Sequence, residues 1–168
     1  MDFEELIKKR FSCRNFTDKP VEPEKIEKII QAAVYAPTAV NRQPFHIFQM
    51  ASPQAKEAVR SCTKCHFGAD TFLVIGGKEE EGWVRPFDDR PFADVDASIA
   101  AAHMMLMIEN LGLSSTWVGY FDAPLLKQKC PQMEGWDLIA IFPIGYAAEG
   151  PSPRHFDRRH TEDLATKI

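Results

Sequence analysis

Two groups of basic residues in the sequence could bind an anion such as a phosphate. Arg10, Ser12 and Arg14 are each separated by one residue, and Arg154 and Arg158 lie more than a hundred residues further along. A guanidinium group can donate two parallel hydrogen bonds to phosphate oxygens, and a serine hydroxyl can add another. Basic clusters of this size are also common as solvated helix ends. The residues alone therefore leave both an anion site and a charged surface open.

Two further segments contain groups that could contact a flat ligand. In the segment 36–45, the amides of Asn41 and Gln43 can donate to and accept from the edge of a heterocycle. In the segment 111–120, Gly119 could bring a backbone N–H close to a ligand atom. A proline-bounded turn and an ordinary helix cap are the alternative interpretations of these two segments.

A charged segment at 78–93 is a candidate for contact with a substrate. It reads as a long loop with two prolines, and loops of this length are often functional. Arg85 could bind a carboxylate or phosphate of a substrate, while Trp83 and Phe87 could line the same face. A loop held in place by its own aromatic side chains is the alternative.

Cys62-x-x-Cys65-His66 matches the attachment signature of c-type haem, and such cysteine pairs also act as redox dithiols or metal ligands. Haem attachment requires export, but the first residues are acidic and lack the apolar segment of a signal peptide. We therefore expect reduced thiols and a cytoplasmic protein, with no bound metal.

Composition limits the classes of protein further. The 168 residues are 45% hydrophobic and 26% charged, which predicts one globular domain spanning 1–168. A net charge of −4 argues against a general nucleic-acid-binding protein. No stretch of about 18 residues is free of polar and charged groups, so we expect no membrane-spanning segment.

Hydrophobic periodicity and capping residues predict the elements that position these groups. Helices are expected at 2–10, 23–36, 53–62, 94–111 and 124–129, and strands at 45–50, 71–75, 116–120 and 138–144. The helix at 94–111 is apolar on nearly all sides, which favours a place in the core or at a subunit interface. Helices and strands do not alternate regularly, which favours an α+β fold.

Taken in order, these segments resemble the nitroreductase family of FMN-dependent oxidoreductases, particularly its shorter members. The resemblance covers nearly the whole chain and includes RFSCRNF, APTAVNRQPF, LGLSSTWVGYFD and FPIGYAAE. It implies a nitroreductase-like fold, with a central mixed or antiparallel sheet flanked by helices. It also implies an intertwined homodimer with FMN bound at the subunit interface.

The resemblance assigns roles to the candidate residues. Arg10, Ser12 and Arg14 would hold the FMN phosphate and the pyrimidine side of the flavin, and Arg154 or Arg158 would add a phosphate contact. Backbone groups of the segment 118–120 would contact flavin N5 and O4, and the segment 37–43 would reach the flavin of the partner subunit. The cofactor contacts implied in these two segments are Pro37, Thr38, Ala39, Asn41, Gln43, Val118, Gly119 and Tyr120.

The implied reaction is a ping-pong hydride transfer. NAD(P)H would reduce the flavin at N5, and a small-molecule acceptor, nitroaromatic or quinone-like, would then be reduced at the same face. No catalytic side chain is required, because the flavin carries the chemistry and Arg14 supplies electrostatic support. The alternatives are an FMN-binding sensor or carrier without turnover, and a redox dithiol or metal protein that uses Cys62, Cys65 and His66.

Overall fold

A four-stranded antiparallel sheet forms the centre of the structure. The structure is a computed structural model, and it describes residues 2–168. The strands of the sheet follow the order β1-β2-β6-β5, and a separate hairpin is formed by β3 and β4. The strands are β1 (Phe45–Gln49), β2 (Thr71–Gly77), β3 (Val84–Arg85), β4 (Arg90–Pro91), β5 (Ser114–Ser115) and β6 (Asp137–Gly145). Between residues 2 and 168 the helices are α1 (Phe3–Lys9), α2 (Pro23–Val34), α3 (Pro53–Cys62), α4 (Ala93–Asn110) and α5 (Ala123–Lys129).

The sheet is covered on both faces, which explains why β2 is apolar at consecutive positions. Side chains of a strand alternate between the two faces. Leu73 and Ile75 pack with α2 and α4, whereas Phe72 and Val74 pack with α3 and α5. The four side chains are fully buried, so both layers share the central strand.

Local sequence sets where several helices begin. The side chain of Asp2 accepts a hydrogen bond from the Glu5 backbone N–H at 2.9 Å at the start of α1. Ser52 caps α3 through the Ala55 N–H at 3.1 Å. N-cap side chains of this kind satisfy backbone donors that the first helical turn leaves free. The predicted helices and the α+β class are confirmed, with helix bounds that differ by a few residues.

The strand expected at 116–120 is wrong. β5 contains only Ser114 and Ser115, and beyond it Val118 makes a single antiparallel bridge to Ile141. The chain is drawn towards the end of α3, because the Thr63 hydroxyl donates to the Tyr120 carbonyl at 2.6 Å. Because this hydrogen bond joins distant parts of the chain, β5 is shorter than the sequence pattern predicts.

The uninterrupted loop expected at 78–93 is also wrong, because this segment contains a 3₁₀ turn at Glu79–Glu81 and the β3–β4 hairpin. Trp83 packs edge-on against Phe92 with ring centroids 5.2 Å apart. The Phe92 N–H also donates to the Trp83 carbonyl at 3.0 Å, which closes the base of the hairpin. No helix within residues 2–168 combines the length and apolar character needed to cross a membrane.

Tyr146 connects the end of β6 to the start of α2. Its hydroxyl lies 2.7 Å from the Glu22 carboxylate and accepts a hydrogen bond from Lys25 Nζ at 2.8 Å. The Tyr146 hydrogen bond, together with Lys25, lowers the pKa of Glu22 to about 2. The ionised carboxylate is therefore favoured in the folded protein.

Substituting Tyr146→Phe should lower the melting temperature of the apoprotein at pH 7. Because the folded-state pKa of Glu22 is depressed, its contribution to stability is present above about pH 4.5 and lost as the pH falls towards 2. The difference in melting temperature between Tyr146→Phe and wild type should therefore shrink as the pH falls from about 4.5 towards 2. Melting curves recorded at successive pH values measure this difference. Tyr35→Phe, at an exposed tyrosine, is the control. A difference that stays constant down to pH 2 would contradict this role of Tyr146.

Candidate functional site

A cavity of about 360 Å³ brings the two basic groups of the sequence together. The cavity lies between the segment that follows α1 and the segment that follows β6. Its lining residues are Arg10, Phe11, Ser12, Arg14, Ser152, Arg154, His155 and Arg158. We call this cavity the arginine pocket. The two basic groups, separated in sequence, thus form one concave site.

Backbone contacts explain why the two segments meet. The N–H of Cys13 donates to the Ser115 carbonyl at 3.0 Å, so the residues after α1 lie beside β5. The other segment folds into a 3₁₀ turn at Pro153–His155, and a His155 ring nitrogen lies 2.9 Å from the Lys8 carbonyl. The walls of the arginine pocket are therefore attached to α1 and to the sheet.

The arginine pocket holds positive charge that no carboxylate within residues 2–168 pairs with directly. Among the ion pairs of residues 2–168, none includes any of its four arginines. Burial, followed by the nearby charge of Arg158, lowers the pKa of Arg10, and Glu109 only partly opposes this shift. A pKa lowered in this way means that the surroundings of Arg10 disfavour its charged form. An anion bound in the pocket would relieve this cost.

A second candidate region is the loop from Thr38 to Gln43, which we call the 38–43 loop. Three of its residues adopt positive φ angles: Val40 at 47°, Asn41 at 58° and Gln43 at 54°. This left-handed conformation is unfavourable for a β-branched residue such as Val40. Backbone strain of this kind is often found where a loop has a functional role.

The 38–43 loop lies outside the arginine pocket of its own chain. The Gln43 side-chain amide donates towards the Asn41 side-chain oxygen at 3.3 Å, and both residues are exposed. The Thr38 hydroxyl accepts from the Gln43 N–H at 3.0 Å, so it stabilises the loop internally. The loop therefore presents its two amide side chains at the surface.

The third candidate segment, 118–120, also lies outside the pocket lining. Val118 is buried and exchanges two backbone hydrogen bonds of 3.0 Å with Ile141. At Gly119 an added Cβ would meet no atom within 4 Å, so its backbone is open to an approaching group. Tyr120 is 82% exposed. In the single chain, therefore, neither the 38–43 loop nor the segment 118–120 lines the arginine pocket.

The candidate substrate residues lie on or beside the β3–β4 hairpin. Phe87 is 92% exposed, whereas Trp83 is partly buried against Phe92. The Arg85 guanidinium is paired with Asp88, with Nε 2.7 Å from the carboxylate. Nε and Nη2 of Arg85 both donate to Asp88, so Arg85 would have to leave this pair before it could hold an anionic substrate with the same two nitrogens.

The cysteine motif contains a buried thiol at Cys62 and a hydrogen-bonded imidazole at His66. Cys62 is buried at the end of α3, and burial raises the pKa of its thiol, which disfavours the reactive thiolate. His66 uses Nδ1 to accept a hydrogen bond from the Gly68 N–H at 3.2 Å. Over residues 2–168, no three His, Cys, Asp or Glu side chains are grouped to hold a metal ion.

One face of α4 is not covered by the rest of the chain. An open groove of about 580 Å³ follows this face. Its lining residues are Asp94, Val95, Ser98, Ile99, Ala102 and His103. We call this surface the α4 face. Its centre is formed by apolar and small side chains, which favour close helix packing.

Sequence reasoning missed three residues that belong to these regions. Ser152 and His155 line the arginine pocket, and their position beside Arg154 in the sequence was a usable signal. Asp96 is buried in α4 and accepts a hydrogen bond from the backbone N–H of Ala39, in the 38–43 loop. The signal for Asp96 was a carboxylate among the mostly apolar residues of α4.

Comparisons with known proteins identify similar sequences and folds. The sequence model of the nitroreductase family matches residues 7–67 and 63–146. A Methanothermobacter thermautotrophicus protein, named as an NADH dehydrogenase/NAD(P)H nitroreductase, is 29% identical over 96% of this chain and 87% of its own length. The crystal structure of a nitroreductase family protein from Clostridium difficile 630 is 34% identical, covers 99% of this chain and 98% of that one, and has a TM-score of 0.91.

A third similar structure shares the fold at low identity. It is a protein of Exiguobacterium sibiricum 255-15 in complex with FMN, with a TM-score of 0.85 and 17% identity. The alignment covers 100% of this chain and 98% of that chain.

Proposed function

The chain belongs to the nitroreductase family, and we propose that it is an FMN-dependent oxidoreductase that transfers electrons from NAD(P)H to a small-molecule acceptor. The observation that carries this proposal is the arginine pocket, which joins the two basic groups of the sequence in one cavity. The name of the Methanothermobacter relative supports NAD(P)H as the electron donor. The FMN complex of the Exiguobacterium protein supports FMN as the cofactor.

The residues of the arginine pocket fit the phosphate of FMN. A phosphate monoester carries close to two negative charges at neutral pH and offers several strong acceptor oxygens. The guanidinium groups of Arg10, Arg154 and Arg158, together with the Ser12 hydroxyl, supply donors on several sides of the cavity. An anion there would also favour the charged form of Arg10, whose pKa is lowered by burial and by Arg158.

The chain's own residues would orient the cofactor and shape its electrostatics. Bound FMN would supply the redox chemistry that links NAD(P)H to the acceptor. Arg14 lines the pocket, and its positive charge would stabilise negative charge on the pyrimidine side of the ring. The backbone at Gly119 is open enough for close approach to a ring edge.

We also propose that the chain is a single domain that works as a homodimer. The α4 face is uncovered in the single chain, and a second copy of the same face is a suitable partner. The 38–43 loop lies outside its own arginine pocket but presents Asn41 and Gln43 at the surface. Each loop would then complete the flavin site of the other subunit. The acceptor is a nitroaromatic or quinone-like molecule.

The proposed function is tested by reconstituting the purified apoprotein with FMN and recording its absorption spectrum without oxygen. We expect one protein-bound flavin per chain, whose absorption bands bleach when NADH or NADPH is added and return when a quinone is added. Bands that persist with both nicotinamides would favour an FMN-binding protein without turnover. A protein that takes up no FMN would contradict the proposal.

A further inference from the structure

We propose that Asp96 is a positioning residue that holds the 38–43 loop in the conformation needed to contact the flavin, an inference that rests on the proposed function. Asp96 belongs to the first part of α4, whereas the loop follows α2. The Ala39 N–H donates to Asp96 Oδ1 at 2.8 Å, so a side chain of one element fixes the backbone of another.

The burial of Asp96 shows that this contact has a cost. Asp96 is 1% exposed, and within the described residues Oδ2 has no hydrogen-bond partner. A buried polar atom without a partner is unfavourable for folding, and an apolar residue of similar size would avoid that cost. The carboxylate is therefore poorly explained by the stability of the core, but it is well explained by a role in holding the loop.

Asp96 supplies a cap that the loop lacks locally. Ala39 begins the short 3₁₀ helix Ala39–Asn41, and the preceding Thr38 makes no side-chain capping bond to it. The Thr38 hydroxyl is instead occupied by the Gln43 N–H, which closes the far side of the loop. The N–H of Ala39 thus depends on a distant acceptor, which the Asp96 carboxylate oxygen provides at 2.8 Å.

The strain in the loop makes this external contact important. Val40, Asn41 and Gln43 keep positive φ angles, which persist only when the surroundings determine the conformation. A second bond, from Arg42 Nη1 to the Gly82 carbonyl at 3.0 Å, holds the opposite end of the loop. Without Asp96, the N-terminal half of the loop would relax, and the exposed amides of Asn41 and Gln43 would lose their fixed orientation.

The test compares Asp96→Leu, which fills the volume without an acceptor, with Asp96→Asn, whose carbonyl oxygen can still accept from the Ala39 N–H. Asp137→Ala removes an exposed carboxylate elsewhere and is the control. Hydrogen exchange of the Ala39 amide and the Kd of the apoprotein for FMN are measured for each variant. For Asp96→Leu we expect the Ala39 amide to lose its protection from exchange and the Kd for FMN to rise at least about tenfold. For Asp96→Asn we expect the Ala39 amide to remain protected and the Kd to stay within about threefold of wild type.

The proposal is overturned if Asp96→Leu keeps both the protection of the Ala39 amide and the wild-type Kd for FMN. It is also overturned if Asp96→Asn loses the same protection and affinity as Asp96→Leu. If Asp96→Leu does not fold, Asp96→Ala provides the same comparison. Melting of the apoproteins separates a general loss of stability from a local one, because the local role predicts lost FMN affinity without a matching fall in melting temperature. If wild-type apoprotein binds no FMN, the proposed function fails, while exchange of the Ala39 amide still decides whether Asp96 holds the loop.

Discussion

Substitution of both Arg10 and Arg14 by alanine should weaken FMN binding by roughly 10²- to 10⁴-fold. Hydrogen bonds to charged groups contribute about 1.5–3 kcal/mol each, and two such groups are lost. The apoprotein should remain folded, because burial and Arg158 already disfavour the charge of Arg10. Quenching of FMN fluorescence during titration of the apoprotein gives the Kd, and circular dichroism checks the fold.

The control for this variant removes the same charge away from the pocket. Lys28→Ala with Lys64→Ala eliminates two exposed cations that do not line the arginine pocket. Their loss should leave the Kd within about threefold of wild type, since exposed charges at a distance are screened by salt. Wild-type flavin occupancy in the Arg10, Arg14 variant would show that the pocket does not hold the phosphate.

Ala102→Glu should convert the proposed dimer to a monomer and release its flavin. Ala102 lies on the α4 face and is exposed in the single chain, so Ala102→Glu should leave the fold of each subunit intact. In the dimer, two carboxylates would be buried without partners, at a cost of several kcal/mol each. Light scattering during gel filtration gives the mass, and absorbance gives the FMN content of the same peak.

Gln128→Glu introduces the same charge at an exposed site on α5 and should leave both the mass and the FMN content unchanged. A dimer that persists in Ala102→Glu would place the subunit interface on another surface. A monomer that retains its FMN would show that one chain is sufficient to hold the cofactor. These results bear separately on the interface and on the shared site.

The elements that were predicted correctly have their causes in nearby residues. Ser52 followed by Pro53 predicts the start of α3, because both the cap and the first helical residue are local features. The segment 116–120 has the composition of a strand, but the contact of Thr63 with the Tyr120 carbonyl redirects it. Nothing near position 120 in the sequence indicates that distant partner.

The same distinction applies to the candidate site. Arg10, Arg14 and Arg154 were recognisable from residue type and spacing, and the structure brings them to one cavity. The pairing of Arg85 with Asp88 was less visible, since the hairpin that brings them together was not predicted. The residues of the 38–43 loop were predicted to contact the cofactor, but their left-handed backbone was not predicted, because the loop contains no glycine.

The left-handed backbone at Val40 has a thermodynamic consequence for ligand binding. A β-branched residue samples fewer conformations than glycine, so a loop built with valine loses less entropy when it is ordered against a ligand. A glycine at this position would relieve the strain and at the same time enlarge the ensemble of the free loop. The strain at Val40 is thus a local enthalpic cost, and it accompanies a loop that is already ordered before binding. A more relaxed 38–43 loop would bind any molecule that it contacts with lower affinity.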